Sequence, residues 1–271
     1  MTNTWKLCVL LPLFACNQDE KQAEPVTTTD AVGATGWGDN VAVTLKDSTF
    51  HYSSDGYPNH ALNDQYVMPD DASPCIPHPT PDCTHIEPLS TSVLANPIDL
   101  EITTLPEMAD STASTPFGAM AVMISGVYTY NPYEGDGTTV AMSANFTLTA
   151  TDGTEVPFMY SCNVHPSPHP QDAYHYHGLP MCVTSQVDED GGPSHIIGFG
   201  FDGFPVYGDR DINGDEVDPA GLDECNGLES PTPEFPDGIY HYVLLELETE
   251  QSTVRCLHGK LAKPLEAYQY L

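Results

Sequence analysis

Hydrophobic residues in this chain fall into short runs that alternate with polar ones, rather than into three-to-four-residue stripes. "NVAVTLKDSTFHY" alternates as a strand running into a turn. "FGAMAVMISGVYTYN" (117–131) and "TTVAMSANFTLTA" (138–150) read as strands, and the Gly/Asp-rich "PYEGDG" between them predicts a hairpin. Further strands are expected at 155–160, 173–177, 195–200, 205–207 and 239–247. No interval resembles a long amphipathic helix. Between Pro69 and Pro88 prolines are too dense for a hydrogen-bond ladder, which predicts a loop. The expectation is mainly β: a single strand-rich domain over residues 36–271 with long Pro/Asp-rich loops and disulfides.

The N-terminus breaks this pattern. "LCVLLPLF" (7–14) is a brief apolar run after one lysine, too short to span a bilayer, and it ends in Leu13-Phe14-Ala15-Cys16. Residues 1–15 read as a lipoprotein signal peptide, with lipid carried on Cys16; a plain secretory signal is the alternative. Residues 16–35 are small and polar and read as a flexible tether. The expected location is the bacterial cell envelope, facing the periplasm or the cell surface, with membrane contact only through that lipid.

Composition sharpens the picture. The 271 residues carry 39 Asp+Glu against 7 Lys+Arg, and none of the latter lies between Lys46 and Arg210. A polyanion would be repelled, so nucleic acid is excluded as a partner. Adaptation to a salty medium accounts for the acidity as well as cation binding does. Setting aside Cys8 and Cys16, six cysteines remain, and export favours their pairing. Nearest-neighbour closure gives 75–83, 162–182 and 225–256. A thiolate metal site competes, but no CxxC occurs.

The densest chemistry is "DAYHYHGLPMC" (172–182). Side chains alternate faces along a strand, so His175 and His177 point one way and Tyr174 and Tyr176 the other. Two imidazoles about 6–7 Å apart on one face can ligate one ion if a third ligand arrives. Candidates for it are His60, His195 and His241, with His165 and His169 just upstream. Zn or Cu would suit neutral imidazole. Structural hydrogen bonding or acid–base catalysis are the competing readings.

With these pieces the sequence resembles the YHYH-domain proteins, a family of secreted, mainly bacterial proteins. The resemblance runs from about residue 51 to 245: "SSDGYPNH" (53–60), "FGAMAVMISGVYTYN", "CNVHPSPHPQDAYHYHGLPMC", "IIGFGFDGFPVYG" (196–208), "GLDECNG" (221–227) and "DGIYHY" (237–242). Family members commonly repeat Tyr-His-Tyr-His in the last run, whereas here Tyr242-Val243 follows His241. A symmetric four-histidine site would therefore lack one ring. The resemblance implies the domain and transfers no activity. "FDGFPVYG" reads as core and turn, or as a pocket wall with Tyr207 offering a hydroxyl.

"DRDINGDEVD" (209–218) places Asp209, Asp211 and Asn213 at positions 1, 3 and 5 of a calcium loop, with Gly214 at 6 and Asp215 and Asp218 beyond. Position 12 is Ala220, so it is no EF-hand proper. A structural Ca²⁺ is expected here, against a plain acidic turn.

No Gly-x-Ser-x-Gly and no His-Glu-x-x-His occurs, and no Gly-rich phosphate loop. The expected function is an exported metal-binding domain, with metal ions as partners and another envelope protein or a glycan as further ones. An extracytoplasmic metal-dependent hydrolase and a purely structural envelope protein are the alternatives.

Overall fold

The structure is a computed structural model that describes residues 25–61, 95–116, 118–134, 136–141, 147–149, 155–157, 159, 162–166 and 174–269. The chain is mainly β, a sheet-rich single domain. Its strands are β1 (Val41–Lys46), β2 (Thr49–Ser54), β3 (Ile98–Thr103), β4 (Met108–Ala113), β5 (Ala119–Met123), β6 (Tyr128–Tyr130), β7 (Thr147–Thr149) and β8 (Glu155–Pro157). They continue with β9 (Val164–His165), β10 (His175–Tyr176), β11 (Ile196–Gly200), β12 (Pro205–Tyr207), β13 (Gly227–Ser230), β14 (Ile239–Val243) and β15 (Leu257–Gly259). Among the described residues two short α-helices accompany them, α1 (Thr28–Ala34) and α2 (Met181–Val187).

Eight strands form the main sheet, in the order β13-β14-β12-β11-β5-β6-β10-β9. It is mixed, because β14 runs parallel to β12 and β10 parallel to β6. The central strands β5 and β11 are buried at every position, as their unbroken apolar runs require. A β1-β2-β3 meander, whose β2 and β3 alternate buried and open positions, packs onto this sheet. Trp37 and Phe50 both meet Phe199 there, at ring centroids of 5.7 and 5.4 Å, and the Tyr52 hydroxyl donates to the Met123 carbonyl at 2.9 Å.

Several expectations change. The run 117–131 is two strands, not one: β5 and β6 pair antiparallel around Gly126. Gly126 has φ 98°, and a Cβ there would collide with the Asn40 side chain, so the chain turns where only glycine fits. In the expected partner run, 138–150, the described residues form an isolated bridge from Tyr133 to Val140, and β7 pairs with β8. The segment read as a tether holds α1, closed by a Thr27/Asp30 capping box and burying Ala31 and Val32. Regular structure therefore starts within the 16–35 segment.

Disulfides join Cys162 to Cys182 and Cys225 to Cys256, as nearest-neighbour closure predicts. Cys75 and Cys83, the signal segment, Cys16 and the proline-rich stretch 69–88 lie outside the described residues. Among the described residues no helix is long and apolar enough to cross a membrane.

Candidate metal centre

The Tyr-His-Tyr-His run enters the main sheet as β10, between β6 and β9. Strand β9 pairs with it antiparallel in a register that sets His165 directly opposite His175. Directly opposed residues share a face, and so do positions two apart on one strand. His165, His175 and His177 thus gather on one side. A ligand atom from each lies within 4.8 Å of the others, and all three side chains are buried.

Hydrogen bonds decide where the lone pairs point. His177 Nδ1 donates to the Asn131 carbonyl and His165 Nδ1 to the Pro166 carbonyl, each at 2.9 Å. A carbonyl can only accept, so in both neutral rings Nε2 carries the lone pair. The Nε2 atoms of His175 and His177 stand 2.9 Å apart, so a single proton held on His175 bridges them. Burial pulls the His165 imidazole down to about 3, helped by neighbouring His177, and pulls His177 down to about 4. At neutral pH both rings are neutral, as ligation requires.

Cross-links hold the arrangement. Cys162 precedes β9 and Cys182 lies in α2, so their disulfide ties the ends of the segment that carries all three histidines. The Ser252 hydroxyl donates to the His177 carbonyl at 3.0 Å, and Tyr130 covers the His175 ring.

The other histidines named as third ligands lie elsewhere. His60 Nε2 meets the Tyr176 hydroxyl at 2.7 Å, and Tyr176 faces away from His175 and His177, which puts His60 on the wrong side of the strand. His195 Nδ1 donates to Glu234 at 2.7 Å, beside the start of β11. His241 sits on β14, five strand steps from β10, roughly 24 Å at about 4.8 Å per step. The third imidazole is His165. Its sequence signal was only proximity, since the register that selects it is a tertiary property.

The acidic loop closes mainly on itself. Asp211 Oδ1 accepts from the amides of Asn213 (2.8 Å) and Asp215 (3.1 Å), and Asp218 accepts from the Ala220 amide at 3.0 Å. Arg210 donates to the Gly214 carbonyl, an oxygen such a loop could otherwise aim at a cation. Asp209 is held above the ordinary carboxylate range by burial. Among the described residues, no set of three metal-ligating side chains gathered within 4.8 Å includes these carboxylates.

Two further gatherings, His60 with Cys162 and Cys182, and Asp223 with Cys225 and His258, have their sulfurs in disulfides. Thiolates, not disulfide sulfurs, ligate metals. Among the described gatherings, only the three histidines offer a full set of ligand atoms without a disulfide sulfur.

A family model described as "YHYH protein" matches residues 99–220. That span holds the three histidines and "FDGFPVYG", while the segments 53–60, 221–227 and 237–242 fall outside it. No curated protein and no solved structure matches the chain.

Proposed function

The chain is a YHYH-family protein through its domain at residues 99–220, and we propose that this domain binds one transition metal ion through His165, His175 and His177. The observation that carries the reading is the hydrogen bonding of the two outer rings. Backbone carbonyls take both Nδ1 protons, so the Nε2 lone pairs converge with His175. Imidazoles oriented by a carbonyl behind them are the usual ligands of protein-bound zinc and copper. Neutral nitrogen ligands suit Zn or Cu better than a hard cation such as Ca²⁺. Ligation needs neutral imidazole, so acid that protonates these rings competes with the metal and affinity falls at low pH.

The test is elemental analysis of the purified chain before and after chelation, with Co²⁺ reloading followed by its visible spectrum. One equivalent of metal, lost in His175→Ala and His165→Ala but retained in His195→Ala, is expected. Absence of stoichiometric metal, or equal uptake by His165→Ala, ends the proposal.

A second reading, hydrolysis by metal-activated water, is favoured by the ligand count, since catalytic zinc keeps three protein ligands and one open position. Against it, the three histidines are only 3–5 % exposed, which suits a closed, structural or storage site. Export and lipidation at Cys16 belong to the same proposal; a mature N-terminus beginning at Cys16 and carrying lipid in the mass spectrum checks them.

A further inference from the structure

His241 does not join the metal cluster, yet its surroundings are built. Strand β14 alternates, so His241 and Val243 face one side while Tyr240 and Tyr242 face the other. Register places Leu228 of β13 opposite His241, and Tyr207 of β12 beside Val243. These four side chains floor a cavity of about 360 Å³. Its wall is the acidic loop, through Arg210, Asp211, Glu216 and Asp218. Such a volume lies at the small end of ligand cavities.

We propose that this cavity binds a compact organic cation, a protonated primary amine on an apolar body, with His241 Nε2 and the loop carboxylates accepting its hydrogen bonds.

His241 Nδ1 donates to the Ile239 carbonyl at 2.9 Å, which leaves the lone pair on Nε2. The side chain is only 4 % exposed and lines the cavity, and among the described residues no hydrogen bond reaches Nε2. Burial holds the ring below its ordinary pKa, so it stays an acceptor at neutral pH. Tyr207 cannot serve as donor to a ligand without leaving Glu234 and Thr232, which its hydroxyl meets at 2.9 Å each. Arg210 is turned to the Gly214 carbonyl. One guanidinium stands against three wall carboxylates, in a chain of net charge -32. Cations are drawn in and anions turned away. Leu228 and Val243 supply the apolar floor that an alkyl or aryl body needs.

The probes are benzylamine, benzyl alcohol and benzoate, titrated calorimetrically into the full chain at pH 7 while the ¹⁵N resonance of His241 Nε2 is followed. Saturable benzylamine binding is expected, about tenfold tighter than the alcohol, with a moved Nε2 resonance and no benzoate binding. Glu216→Gln, on the exposed rim, and His241→Phe should each weaken it about tenfold. Should His241→Phe misfold, Glu216→Gln and the resonance decide. Equal affinity for the alcohol would mark a neutral-ligand site and overturn the assignment. So would an unmoved Nε2 resonance, an unweakened Glu216→Gln protein, or no saturable binding of the amine.

Discussion

The phenol ring of Tyr130 lies flat against the imidazole of His175, with centroids 3.7 Å apart and planes within 14°. Tyr130 ends β6, the strand that pairs with β10; register sets Tyr128 beside His175, and the ring of Tyr130, two residues further on, stacks on that imidazole. Replacing it with leucine removes that support without touching a ligand atom. Tyr130→Leu should bind the metal about tenfold more weakly while keeping one site per chain. Competition with a chromophoric chelator measures this; unchanged affinity shows that the stacking does not orient His175.

Acid should unfold the metal-free protein through the same rings. His177 falls from 6.5 to about 4 and His165 from 6.5 to about 3, both chiefly by burial. Below pH 6.5 the unfolded chain takes up protons that the folded rings refuse. The stabilising effect is therefore complete above 6.5 and lost as pH falls toward 4. For His177 alone this amounts to about 3 kcal/mol. Urea midpoints from pH 7 to 4 should drop steeply, and His177→Gln should flatten the profile.

Asp202 titrates with the opposite sign. Burial raises its carboxyl from 3.8 to about 6, and the Tyr242 hydroxyl at 2.5 Å partly offsets that shift. Its proton stabilises the fold below pH 3.8, and the benefit disappears as pH rises through 6. Tyr242→Phe removes the hydroxyl donor, moving this loss to higher pH and costing about 1–3 kcal/mol at pH 7. The difference between variant and parent stability curves isolates the effect from the histidines. Identical curves would mean that Asp202 is held by its backbone donors, Phe204 and Gly259, alone.

The Cys162–Cys182 disulfide encloses the whole ligand set within a sequence separation of 20. The double variant Cys162→Ser, Cys182→Ser should lose about 3 kcal/mol of stability by the loop-entropy argument. Metal affinity should fall with it, because β9 and β10 are only two residues long and lean on the cross-link. Calorimetric melting with and without metal tests both parts. A destabilised variant that still binds metal at parental affinity would separate the cross-link from the site.

Much of the fold was legible. Alternation marked most of the strands, cysteine spacing marked the two described disulfides, and period two alone placed His175 and His177 on one face. The same rule sends His241 to one side of β14 and its flanking tyrosines to the other. The hairpin within 117–131 was missed because apolar residues run straight through it. Only Gly126 marks the turn, and its need for positive φ is invisible until Asn40 closes over it. The helix at Thr28–Ala34 was missed because Ala31 and Val32 give too faint an apolar stripe to stand out from a tether.

Which side chains meet was a different matter. Local chemistry determines the direction a side chain takes from its own strand, because the backbone repeat is short and fixed. It cannot determine which strand lies alongside. His165 became the third ring through the β9–β10 register, and strand order carried His241 away to a cavity of its own. The acidic loop likewise became a wall once the sheet supplied a floor. Facing was written along the chain; partnership was settled by hydrogen bonds between segments that the chain alone leaves far apart.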